Sequence, residues 1–144
     1  HGLPVRPEWL VRGGFSEEDG HRAFMQLHAA GETPEFIFAA TFPVALGVYR
    51  AAADTGMRIP SDVDIICFGN TGLSQILPSA PSYIEQPTKD LGSKAFELTL
   101  QQIRDKTSPV LVELPTRLVL CGTANLPRKG SDVAGSTAAR TVAR

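Results

Sequence analysis

The chain has 144 residues, a net charge of −1, 42% hydrophobic and 20% charged residues. That is enough for one globular domain burying roughly 70% of its unfolded-state surface. The charge balance offers no basic patch for nucleic acid or an anionic membrane, and no apolar run approaches the ~20 residues of a membrane span. No basic-then-apolar leader is visible at the start.

Residues 8–13, "EWLVRG", read as a strand. Ser16 then opens a helix, with Ser16 and Asp19 spaced as a capping box and Glu17 and Glu18 placing negative charge on the first turn. Gly20, Ala23, Phe24, Leu27 and Ala30 fall on one helical face, and Gly31 ends it. "EFIFAA" (35–40) is a second strand, apolar on both faces. Thr41 caps the next helix, where Pro43 is tolerated in the first turn. Ala45, Val48, Tyr49 and Ala52 make its inner stripe, and Gly56 stops it. "DVDIICF" (62–68) is a third strand, in which Val63, Ile65 and Ile66 are expected to be buried. Strand, helix, strand, helix, strand at this spacing implies right-handed βαβ units on a parallel sheet.

The third strand runs into "GNTG" (69–72), a loop of the kind that binds ligands beyond the carboxyl ends of strands in open α/β sheets. "LSQILPSAPS" follows, with room for one short helical turn, then a short strand at 82–86. Pro87 and Thr88 open a long helix to about Asp105. Leu91, Ala95, Leu98 and Gln102 lie on one face, widened by Phe96, Leu100 and Ile103, so this helix needs partners on more than one side. Residues 109–122 are extended, with Pro115 interrupting the alternation. Residues 123–144 are small, polar and basic, and read as a flexible tail, leaving 1–122 as the folded part.

Few residues suggest chemistry. His1, His21 and His28 are scattered without metal-ligand spacing, and His21 and His28 are expected on the solvated side of their helix. Cys67 and Cys121 read as small hydrophobes of a reducing compartment. Cys67 or Ser74 could serve as a nucleophile only with a base beside it, and none is suggested. G-x-S-x-G, Walker and G-x-G-x-x-G motifs are all absent from the sequence. No metal, cofactor or catalytic residue is therefore expected.

Three stretches in order, "GGFSEEDGHRAF", "IFAATFPVALGVYRAAADTGMRIPSDVDIICFGN" and "PSYIEQPTKDLGSKAFELTLQQI", resemble the LacI/GalR family of bacterial transcription regulators. The likeness covers about residues 3–122. It implies the C-terminal part of a two-lobed effector-binding domain of periplasmic-binding-protein type. Residues 3–86 would form most of one lobe, 88–105 would cross to the other, and 109–120 would return. The helix-turn-helix that reads operator DNA would lie outside this chain. The resemblance places an effector against Phe15, Thr41, Phe42, Gly69 and Asn70. It also places a homodimer contact at Leu73, Ile76 and Leu77. A small metabolite, sugar-like or otherwise, is the implied ligand, in a cytoplasmic binding module and not an enzyme. Half of a transporter's solute-binding protein is the alternative. Relatives commonly carry carboxylates where this chain has Phe42 and Gly69. That departure implies a ligand less hydroxylated than a free hexose.

Overall fold

The structure is a computed structural model and describes residues 6–31, 33–69, 72, 76, 77, 79–105, 110–121 and 140–142. They fall into two compact units, one within His1–Ile84 and Leu118–Leu126, the other within Glu85–Arg117 and Pro127–Arg144.

Helix α1, Glu17–Ala29, begins at Ser16 with the expected box: Asp19 N–H donates to Ser16 Oγ and Ser16 N–H donates to the Asp19 carboxylate. Gly31, at φ 71°, follows its end. Strand β1 is Phe36–Ala39, helix α2 is Phe42–Asp54, and strand β2 is Asp64–Phe68. Strand β3 is Ser82–Glu85, helix α3 is Thr88–Asp105, and β4, Leu111–Glu113, and β5, Arg117–Val119, complete the extended stretch. Strand β6, Arg140–Val142, pairs antiparallel with β4. The remainder of the expected tail, 123–144, lies outside the described residues.

The main sheet has the order β1-β2-β3-β5, with β1 parallel to β2 and β2 parallel to β3. Register partners share a face. Ile37 with Ile65, and Ala39 with Cys67, therefore face one way. Phe36 with Asp64, and Phe38 with Ile66, face the other. The first face carries the core: Phe24 of α1, Phe42, Ala45, Val48, Ala51 and Ala52 of α2, and Val63, Ile65 and Cys67 of β2 are buried together. Ile66, expected inside, is half-buried because it points to the opposite face.

Two glycines let α1 and α2 pack backbone to backbone. A Cβ on Gly20 would strike the Val44 carbonyl, and one on Gly47 would strike the Glu17 carbonyl. Across this crossing Arg50 bonds Glu17 at 2.6 Å and His21 Nε2 lies 2.8 Å from the Asp54 carboxylate. His21 is thus a partner in a helix-to-helix pair and not simply solvated; His28 stacks on Phe24.

The largest departure from the sequence reading is at 8–13. Pro7–Trp9 form a single 3-10 turn, with the Arg6 guanidinium 4.7 Å from the Trp9 ring centre. Residues 10–13 belong to no sheet. A strand exists only with a paired neighbour, and what lies beside this segment is a cavity. In the second unit, α3 has no buried residue, so the apolar face that its sequence predicts is exposed at Leu91, Phe96, Leu100 and Ile103.

Candidate effector site

The carboxyl ends of β1 and β2 form the candidate site. Ala39 and Cys67 are register partners, and two residues further along each strand stand Thr41 and Gly69. Thr41 is extended (φ −147°, ψ 163°) and caps α2, its hydroxyl accepting from Val44 N–H at 3.4 Å. The same hydroxyl donates to the Phe15 carbonyl at 3.4 Å, which ties the entrance of α1 to that of α2. The hydroxyl therefore keeps one lone pair for any third partner. Phe15 presents its ring to solvent, 69% exposed, because the capping turn at Ser16 holds the backbone and leaves the side chain outside.

Gly69 ends β2 at φ 82°, a conformation open to glycine and strained for most L residues. Its N–H donates to the Ile84 carbonyl at 2.9 Å, and its own carbonyl accepts from Cys67 Sγ at 3.3 Å. Phe15, Thr41 and Gly69 thus stand at one end of the sheet. Phe42 does not join them: it is 3% exposed, in the core beneath Thr41. Asn70 lies outside the described residues. Of the residues expected at a dimer contact, Ile76 is 78% exposed, Leu77 packs against the core, and Leu73 is outside the described residues.

Reactive groups are few. Burial, with a smaller contribution from Cys121, pushes the Cys67 thiol up to about 11, and both cysteines are free. A thiol so raised is protonated at neutral pH, the opposite of an activated nucleophile. Among the described residues no cluster of His, Cys, Asp or Glu could hold a metal, and no helix is long and apolar enough to cross a membrane.

A feature absent from the sequence reading is a cavity of about 380 Å³ beside the site. Its walls are Val11–Phe15 on one side and Ile37–Ala40 on the other, with Ala23, Phe24 and Leu27 of α1 as its floor. The signal for it was the pair of strand-like segments at 8–13 and 35–40, which the sequence could not show to be unpaired with each other.

A model of the periplasmic binding protein-like domain matches residues 1–123. Catabolite control protein A of Priestia megaterium is 36% identical over 118 residues, 81% of this chain and 36% of that protein. The HTH-type transcriptional repressor PurR of Yersinia pestis (strain Pestoides F) is 33% identical over 118 residues, 81% of this chain and 35% of the repressor. The crystal structure of transcription regulator CcpA of Lactococcus lactis superposes with a TM-score of 0.70 at 23% identity. That match spans 83% of this chain and 44% of that one. The chain spans about a third of the length of the curated relatives it matches.

Proposed function

Because the chain belongs to the periplasmic binding protein-like domain family of LacI-type regulators, we propose that it is the effector-binding and dimerising portion of a bacterial transcription regulator. It would act in the cytoplasm, on operator DNA bound by another part of the same protein. The observation that carries the proposal is the juxtaposition of Phe15, Thr41 and Gly69 at the carboxyl ends of parallel strands. Ligands of doubly wound sheets bind there.

In this reading the Phe15 ring stacks on a flat ligand face, and Thr41 lends its remaining lone pair. The Gly69 turn brings backbone close to the ligand, with Asn70 as the polar side chain beyond it. Phe42 supports this wall from the core. Binding modulates DNA affinity, and Leu73, Ile76 and Leu77 contribute to the homodimer. The wall carries no carboxylate at 42 or 69, which favours a less hydroxylated or anionic metabolite over a free hexose.

The test is titration of the full-length protein with sugars, sugar phosphates and nucleobases, reading operator binding with and without each. One class should change operator affinity by at least about fivefold, the usual scale of allosteric coupling. Phe15→Ala should weaken that ligand about tenfold, the size of a lost aromatic contact. If Phe15→Ala and Thr41→Val leave ligand affinity unchanged, the site lies elsewhere.

A further inference from the structure

β2 and β3 are parallel neighbours, so the chain must cross back along the sheet between them. Such crossovers usually run through an α-helix. Here residues 69–81 make the crossover, and no α-helix stands among those described. Without a helical ladder the segment needs other anchors. Three are visible. Leu77 packs against the core, and Pro81 is fully buried. Between them, the Tyr49 hydroxyl of α2 donates to the Ser79 carbonyl at 2.5 Å.

That bond is at the short end of the range for hydroxyl donors. It joins positions 30 residues apart in a half-buried setting, where an unpaired carbonyl is costly. Ser79 Oγ is buried with no partner among the described residues, so the side chain offers no substitute tie. Burial first, then Asp64, Cys67 and Cys121, raises the Tyr49 phenol above its ordinary 10.0. It therefore stays protonated, and a donor, throughout the physiological range. The Tyr49 ring packs against the core. Tyr49 thus joins a helix to a segment that has no helix of its own to hold it. At the start of this anchored stretch stands Ile76, 78% exposed, an apolar side chain held out from a tethered backbone.

We propose that Tyr49 is a positioning residue for self-association: its hydrogen bond to Ser79 fixes the segment so that Ile76 meets a second copy of this chain. The inference rests on the reading of 73–77 as a homodimer contact and adds to it the residue that presents the contact. Without the phenol hydroxyl, Ile76 would stand on a looser segment, and the cost of ordering that segment would fall on association.

The experiment measures the dimer dissociation constant of the full-length protein by sedimentation. It compares the unsubstituted protein, Tyr49→Phe, Ile76→Ala and the two changes together. Phenylalanine keeps the ring and removes only the donor. Tyr49→Phe should raise the dissociation constant about tenfold, the size of a lost buried hydrogen bond. In the Ile76→Ala background the same change should raise it less than about threefold, because the two act through one contact. A second reading needs no variant. Coupling is reciprocal, so the Tyr49 hydroxyl proton, followed by NMR with labelled tyrosine, should exchange about tenfold more slowly in the dimer than in the diluted monomer. A monomeric full-length protein, or an Ile76→Ala dimer of unaltered strength, would overturn the contact reading and this inference with it. Weakening by Ile76→Ala but not by Tyr49→Phe would overturn the inference alone. So would effects that multiply in the double variant, which belong to a general loosening of the fold, or equal exchange of the hydroxyl proton in dimer and monomer.

Discussion

Asp62 shows how one residue can hold a loop. Its carboxylate accepts from the Arg58 backbone N–H at 2.8 Å and from two guanidinium nitrogens at 3.0 and 2.8 Å. These bonds pull its pKa from the ordinary 3.8 down to about 2. A carboxyl with a depressed folded pKa stabilises the fold fully above its unfolded value and loses that contribution as pH falls through the folded one. The clamp should therefore loosen between pH about 4 and about 2. A carboxyl titration by NMR should place the Asp62 midpoint near 2, and Arg58→Ala should return it toward 3.8. Cys67 makes the opposite case. Raised from 9.0 to about 11 by burial, it should react with iodoacetamide at pH 8 roughly 100-fold more slowly than a free cysteine, in proportion to its thiolate fraction. Labelling at the free-peptide rate would reopen the case for a nucleophile. At this scale the sequence was legible where geometry is local. The Ser16–Asp19 box and the Thr41 cap need only a spacing of three residues. The fate of Phe42 was not legible, because an aromatic one residue past a cap can face a ligand or the core. Which it does depends on the helix rotation fixed by Ala45, Val48 and Ala52.

Among the elements, the α1–α2 crossing sets the tightest condition. Gly47→Ala forces a methyl into the Glu17 carbonyl, backbone that cannot rotate aside, so it should cost at least about 2 kcal/mol in urea unfolding. Gly92→Ala in α3 meets nothing within 4 Å. It should instead stabilise that helix by about 0.5–1 kcal/mol, the difference in helix propensity, seen as slower amide exchange within α3. Equal effects at the two positions would show that helix propensity, not the crossing, decides. α3 itself was read end to end from the sequence, Thr88–Asp105, since eighteen residues carry a period that short strands lack. The segment 8–13 was read as a strand from the same kind of pattern. It fails to be one because pairing is a property of two segments and sequence period reports only one.

For the whole molecule, the parallel sheet was legible because strands alternating with helices leave few topologies, while the strand order came from the structure alone. The bare face was not, since β1 and β2 look apolar on both sides whether or not something covers them. The exposed Phe36 and Phe38 rings should favour association of the 144-residue chain with itself. Phe36→Thr with Phe38→Thr should lower its association in sedimentation while leaving the circular dichroism unchanged; unaltered association would move the sticky surface elsewhere. The open edge of β1 has a further consequence during synthesis. While the chain is still folding, an edge strand flanked by the exposed Phe36 and Phe38 rings is a template for pairing with other chains, and slow folding would favour aggregation and capture by chaperones.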